Sequence, residues 1–202
     1  MNSNVNAKAG NPPKFGLAID FETSGASQDS SKHTVEYQGI SYGALIFNFE
    51  TLEPVDGVYC EIKFNESKYK WSIDAQNVHG LTKEYLSENG VSQETAACTL
   101  AELMLTWLGP TPHVWLLAHN REFDIAFMRQ LLEPFEIMPS ICHVGMDTSP
   151  LGLFTLRKYR ANDIFDLLDL SERGAHNSLE DAMLTLEAAR RIRLIFEKGL
   201  NG

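Results

Sequence analysis

Cysteine is scarce in this sequence, and no two cysteines stand close together. Cys60, Cys98 and Cys142 are an odd, widely spaced three among 202 residues, with no C-x-x-C pair. That pattern excludes a disulfide framework and a cysteine zinc site. The three read as buried or partly buried free thiols in a reducing, cytoplasm-like compartment. Long apolar runs are also missing. None approaches the roughly 18–20 residues that a membrane span needs, so no membrane contact is expected. Positive charge is thin: 17 Lys and Arg face 27 Asp and Glu, for a net charge of −10. A protein gripping nucleic acid over a wide basic face would not have this balance. A small electrostatic footprint, touching few nucleotides, remains compatible with it. No internal repeat, low-complexity block or dividing linker is visible. Met1 to Pro13 is polar, rich in Asn and closed by Pro12-Pro13. It has no apolar stretch, so it reads as a disordered tail or expression remnant rather than a secretory signal.

The remaining residues, 14–202, have the size and apolar content of one α/β domain with a substantial core. Phe15–Phe21 reads as a buried strand, and Gly39–Phe49 and Val58–Phe64 as two more, giving an antiparallel opening. The polar stretch from Ser24 to Glu36 reads as a loop. Ser92–Leu108 has helical periodicity and stops at Gly109-Pro110. Val114–Ala118 reads as a short buried strand, followed by a helix capped by Asn120 and reaching about Leu132. A shorter helix is expected near Asn162–Leu170. The last helix, from about Ser178 to Lys198, places Ala182, Leu186, Ala189, Ile192 and Phe196 on one face. Strands followed by alternating helix and strand imply a central mixed β-sheet flanked by α-helices.

Four carboxylates occupy the ends of these elements. Asp20 and Glu22 stand two apart at the end of the first strand, so they share a face. Taken alone they are also consistent with exposed strand-end acids. Asp124 lies in the first turn of its helix among Phe123, Ile125, Ala126, Phe127 and Met128. Taken alone it would serve equally as a favourable acid at a helix N-terminus. Asp181 opens the last helix, where Asn177 and Glu180 resemble a capping box. His176 stands just before that helix, five residues from Asp181. That is about 500° of helical rotation, so it reaches the same site only by folding back from a loop. Capping or packing is its plainer reading. Together the four acids make a hard oxygen set suited to two Mg²⁺ or Mn²⁺ ions. Two such ions roughly 4 Å apart can clamp the attacking and leaving oxygens of a phosphodiester.

Three segments resemble the exonuclease motifs of the DnaQ-like DEDD superfamily. Ile19-Asp20-Phe21-Glu22-Thr23-Ser24-Gly25 is similar to the first motif. Ala118-His119-Asn120-Arg121-Glu122-Phe123-Asp124 is similar to the second. His176 with Asp181, in His-Asn-Ser-Leu-Glu-Asp, is similar to the third in its His-containing DEDDh form. Val78-His79-Gly80-Leu81-Thr82 also resembles a segment found between the first two motifs. The resemblance covers roughly residues 15–196 and implies a ribonuclease H-like fold with two-metal hydrolysis from a 3′ end. It implies that Asp20, Glu22 and Asp181 hold the catalytic ion, and that Asp20 also reaches a second ion. Asp124 would act at that second ion, often through water, and His176 would take a proton from the attacking water. The product would be a nucleoside 5′-monophosphate. The resemblance further suggests that the backbone amide of Thr23 meets the terminal nucleotide, with His119, Asn120 and Phe123 along the strand path. Phe123 is equally readable as core packing with Phe127. His79 reads as a loop-fixing residue. Arg157, Lys158 and Arg160 form a local basic cluster, either solvated or facing phosphates. Arg190, Arg191 and Arg193 read as the polar face of the last helix. The departures are the long polar segment after Ser24, Ser41 where many relatives carry an acid, and Ser178 in place of a small apolar residue.

The leading expectation is a 3′–5′ exonuclease on mainly single-stranded DNA. Trimming of short RNA is the alternative, and the two differ in their need for a 2′-hydroxyl. A non-catalytic, polymerase-associated module would be expected to lack one of the five residues, and all five are present. An RNase H-type endonuclease does not normally carry the His-x4-Asp arrangement. Oligomeric state and protein partners are not legible.

Overall fold

The structure, a computed structural model, describes residues 12–170 and 177–200. Its centre is a five-stranded mixed sheet. The strands β1 (Phe15–Thr23), β2 (Gly39–Asn48) and β3 (Pro54–Glu61) form an antiparallel meander. On the other side of β1 lie two short parallel strands, Leu116–Ala118 next to β1 and Met146–Asp147 at the edge. The chain runs on through α1 (His33–Glu36), α2 (Ile73–His79), α3 (Lys83–Asn89) and α4 (Gln93–Leu108). Then come β4 (His113–Val114), β5 (Leu116–Ala118), α5 (Arg121–Leu132), β6 (Ser140–Ile141) and β7 (Met146–Asp147). Three helices end the chain: α6 (Thr148–Leu156), α7 (Ala161–Leu167) and α8 (Ser178–Leu200). A three-layer α/β arrangement results, with α4 and α5 on one face of the sheet and α8 on the other.

The period of two in β1 sorts its side chains between two cores. Leu17, Ile19 and Phe21 pack with α4 and α5, beside Tyr42, Ala44 and Ile46 of β2. Ala18 points the other way, with Leu45, Phe47 and Leu117, onto Ala182, Leu186 and Ala189 of α8. Both faces are covered, which is why β1 reads as a nearly unbroken apolar run. Asp20 and Glu22 have the parity of Ala18 and therefore lie on the α8 side. A third cluster joins α7 to α8 through Ile164, Phe165, Leu168, Ala188 and Ile192.

Several expectations need correction. The run Val114–Ala118 is not one strand. It changes partners at Trp115: β4 pairs with β6 in a separate two-stranded sheet, and β5 pairs with β1 and β7. The Trp115 carbonyl still accepts from the Leu17 amide at 3.0 Å, so the chain stays extended through the switch. The Ser24–Glu36 segment is a loop only at its start, and a 3₁₀ turn and α1 follow. Gln130 of α5 pins this segment by donating to the carbonyls of Thr34 and Tyr37, both at 2.7 Å. The third strand begins at Pro54 and ends at Glu61, earlier than Val58–Phe64 implies. Two seven-residue helices, α2 and α3, lie where the sequence shows no helical periodicity, each with a side-chain cap. Ser72 caps α2 and Thr82 caps α3. All three cysteines are free, but Cys98 is exposed rather than buried. Arg190 and Arg191 bind Glu187, while Arg193 donates to the carbonyls of Phe49 and Glu50. Arg191, which also donates to the Leu168 carbonyl, and Arg193 tie α8 to neighbouring segments, whereas Arg190 pairs within the helix face. Among the described residues, no helix is long and apolar enough to cross a membrane.

Candidate active site

Asp20 and Glu22 project from the C-terminal end of β1, and the register places Gly43 and Ser41 of β2 opposite them. A register irregularity follows between Glu22 and Thr23. Such a bulge re-aims the chain next to a site. Beyond it, Ser24 is fully buried and anchored on three sides. Its hydroxyl donates to the Lys70 carbonyl at 2.8 Å and accepts from the Gln38 amide at 3.0 Å. Its carbonyl accepts from the Ser72 amide at 2.7 Å. The end of β1 is thus fixed just beyond the acid pair.

Asp181 arrives from the first turn of α8. Asn177 caps this helix, its Oδ1 accepting from the amides of Leu179 at 3.0 Å and Glu180 at 3.3 Å. The cap sets the helix start, and Asp181 falls four residues on, nearly fully buried at 4 % exposure. Each of Asp20, Glu22 and Asp181 offers a carboxylate oxygen within 4.8 Å of the others. Like charges this close repel by on the order of 3 kcal/mol per pair at an effective dielectric near 20. A hard divalent cation relieves that repulsion. The donor set, all carboxylate oxygen, fits Mg²⁺ or Mn²⁺ and does not fit a soft thiolate-seeking metal.

Asp124 stands apart from that trio. It is buried in the first turn of α5, and its Oδ1 accepts from the Phe21 amide at 3.0 Å. Phe21 lies between Asp20 and Glu22, so Asp124 couples α5 to the segment that carries both acids. Burial, and next the charge of Asp20, hold its carboxyl well above the usual carboxylate range.

Asn120 does not cap α5 with its side chain. Its backbone is left-handed, at φ 63° and ψ 54°. Asp147 does the capping instead. It accepts from the amides of Asn120 at 3.1 Å, Arg121 at 2.9 Å and, at the start of α6, Ser149 at 2.9 Å. One carboxylate thus serves two helix N-termini. The sequence carries a local signal for half of this, because Asp147-Thr148-Ser149-Pro150 is a helix-start pattern.

His119 follows β5 at the same edge of the sheet, its Nδ1 hydrogen-bonded to the Thr148 hydroxyl at 2.9 Å. The Thr23 hydroxyl donates to the Gly25 carbonyl at 2.9 Å. Phe123 is half-buried, its ring centroid 4.8 Å from Phe127 and 5.3 Å from His33 of α1. His33 is a contact that residue types alone did not reveal. His79 is buried at the end of α2, where its Nδ1 accepts from the Leu81 amide at 3.0 Å. Arg157, Lys158, Tyr159 and Arg160 are exposed at the corner between α6 and α7. His176 lies outside the described residues.

No family model matches the chain, and no curated protein matches it by sequence. Solved structures do match. Escherichia coli exonuclease I in complex with a dA16 oligonucleotide superposes with a TM-score of 0.70 at 16 % identity, covering 90 % of this chain and 41 % of that one. The zinc-bound form of its complex with single-stranded DNA gives 0.69 at 16 % identity, covering 90 % and 41 %. A 3′-exonuclease described in specific recognition of the histone mRNA stem-loop gives 0.67 at 15 % identity, covering 90 % and 82 %. This chain therefore has the ribonuclease H-like fold of these exonucleases, and it spans about two fifths of the exonuclease I chain.

Proposed function

We propose that this chain is a divalent-metal-dependent 3′–5′ exonuclease. On this reading it shortens mainly single-stranded DNA from the 3′ end and releases nucleoside 5′-monophosphates. The observation that carries the proposal is the meeting of Asp20, Glu22 and Asp181 at one edge of this sheet, in a fold shared with exonucleases.

Asp20, Glu22 and Asp181 would hold the catalytic ion, and Asp20 with Asp124 would serve a second. When bound, such ions neutralise phosphate charge and activate water at neutral pH. The protein supplies the rest. The cap at Asn177 and the anchoring of Ser24 hold the acids in place before substrate arrives, which is where such sites gain rate. His176 would take the proton of the attacking water, since an imidazole with an ordinary pKa near 6.5 suits a base at neutral pH. The backbone of Thr23 and the side chains of His119, Asn120 and Phe123 would border the 3′-terminal nucleotides. With Phe123 already packed on Phe127 and His33, the part of its ring left exposed is what a base would meet. Few contacts beyond that end are expected of so acidic a chain.

A second reading is an exoribonuclease. It is favoured by the match to a 3′-exonuclease described with the histone mRNA stem-loop, whose TM-score of 0.67 stands beside the 0.70 of exonuclease I. The test is digestion of matched 5′-labelled single-stranded DNA and RNA with Mg²⁺ or Mn²⁺, beside Asp20→Ala and His176→Ala. Metal-dependent shortening by single nucleotides, absent in Asp20→Ala, is the expected result. The faster substrate assigns the class. Internal fragments, or no mononucleotide with any metal, would overturn the proposal.

A further inference from the structure

We infer that Ser41 and Gly43, which offer no ligand themselves, are positioning residues that set the spacing of the metal site. The inference rests on the reading of Asp20, Glu22 and Asp181 as metal ligands.

The three acids come from two elements, so something must fix the distance between β1 and the first turn of α8. The neighbouring strand does this. Gly43 is the register partner of Asp20, and Ser41 is the partner of Glu22. All four have the parity that faces α8. At Gly43 the helix start comes down onto the strand. A Cβ added there would lie 2.2 Å from both the amide nitrogen and the Cα of Leu179, and 2.4 Å from the Ser178 carbonyl carbon. These are backbone atoms, so no rotamer change relieves the contact. Only a shift of α8 away from the sheet would. Asp181 lies two residues beyond Leu179 on the same turn, so it would move with it.

Ser41 supplies the second point of contact. Its hydroxyl lies 3.3 Å from that of Ser178, and both residues are fully buried. The first seat is steric and sets how close the helix comes. The second is a hydrogen bond and sets where along the strand it rests. Their spacing of two residues on β2 matches the spacing of Asp20 and Glu22 on β1. The helix carrying the third ligand is thus registered against the pair that supplies the other two. The same geometry explains why a serine suits position 178: a small apolar residue there would leave the buried Ser41 hydroxyl without this partner.

The test uses the full chain and reads Mn²⁺ binding by calorimetry or electron spin resonance, with thermal unfolding in chelator and kcat and KM on a single-stranded oligonucleotide. Gly43→Ala is compared with Gly57→Ala, a β3 glycine whose added Cβ would chiefly meet the far end of the Leu45 side chain, 2.5 Å away. Gly43→Ala is expected to fold, to bind Mn²⁺ at least tenfold more weakly and to lose kcat with little change in KM. Gly57→Ala should leave all three near wild type. Should Gly43→Ala not fold, Ser41→Ala and Ser178→Ala decide the matter. A several-fold loss of Mn²⁺ affinity shared by the two, with no further loss in the double variant, supports the inference. Wild-type Mn²⁺ affinity in folded Gly43→Ala, or in both serine variants, overturns it. A wild-type chain that binds no Mn²⁺ and shortens no strand would instead remove the exonuclease reading beneath it.

Discussion

Asp124 accepts a hydrogen bond from the backbone amide of Phe21, at 3.0 Å, from a position that is almost wholly buried. The residue is thereby both a brace for β1 and a charge held beside Asp20. The two roles separate by substitution. Asp124→Asn keeps an acceptor for the amide and removes the charge. We expect nuclease rate to fall by two orders of magnitude or more while Tm in chelator holds or rises, because a buried charge beside Asp20 is gone. Asp124→Ala also orphans the amide and should cost a further ~1–3 kcal/mol of stability, measured by denaturant unfolding.

Asp147 is expected to matter for stability more than a partly exposed side chain usually does. It caps α5 and α6 at once. Loss of one cap costs about 1 kcal/mol, so Asp147→Ala should cost about 2 kcal/mol in urea unfolding. Hydrogen exchange should quicken at the first turns of both helices. An effect confined to α6 would show that the contact to α5 contributes nothing.

Glu187 gives a pH dependence with a defined sign. The hydrogen bond from Arg190 holds its carboxyl below the ordinary Glu range against the opposing effect of burial, with a lesser contribution from Arg191. A depressed acid stabilises the fold above its unfolded pKa and loses that contribution as pH falls through the folded value. Glu187→Gln should therefore lower Tm at pH 7. The exposure of the group limits the effect to about 0.5–1 kcal/mol. The difference from wild type should close in acid, below about pH 4. An undiminished difference there would assign the effect to packing.

The corner between α6 and α7 is the place to look for strand contacts beyond the terminal nucleotides. Arg157, Lys158 and Arg160 are exposed, and among the described residues none is in an ion pair with an acid. Phe154 is 83 % exposed on the preceding helix, and Arg160 lies over the Tyr159 ring. Cations interleaved with aromatics suit a single strand. Replacing the three cations with Glu should weaken oligonucleotide binding and flatten its salt dependence, by a slope of about 2 if all three meet phosphates. Binding by a chain inactivated through Asp20→Asn, measured across a salt series, checks this. An unchanged slope would return the cluster to plain solvation.

The parts of the site that were legible in the sequence are those in which local pattern and final environment coincide. Asp20 and Glu22 interrupt an apolar strand, and Asn177 with Asp181 begin an apolar-striped helix, so periodicity alone sets their faces. The parts that were not legible depend on long-range partners. Nothing local distinguishes Asn120 from a capping residue, because its replacement, Asp147, lies far along the chain and reaches it only through the pairing of β5 with β7. The partner switch at Trp115 is invisible for the same reason: both halves of Val114–Ala118 are apolar and extended. The helices α2 and α3 span only two turns each, too short for a periodic signal, and their caps Ser72 and Thr82 were the available clue. Cys98 occupies the outward face of α4, a direction that composition cannot give.

The sorting of β1 into two layers also restricts where this chain can change length. Ile19 and Phe21 fill one core while Asp20 and Glu22 face the other side. One residue inserted before Asp20 would exchange the layers beyond it, setting both carboxylates under α4 and the Phe21 ring among the ligands. Past Gly25 the two-fold frame no longer applies, and there the chain carries its long polar segment, held at its far end by Gln130. Variation among homologues of this protein should therefore be a matter of side chains within β1 and of length immediately after it, so that new substrate preferences arise by growing or trimming the segment beside the site while the frame that holds the acids stays constant.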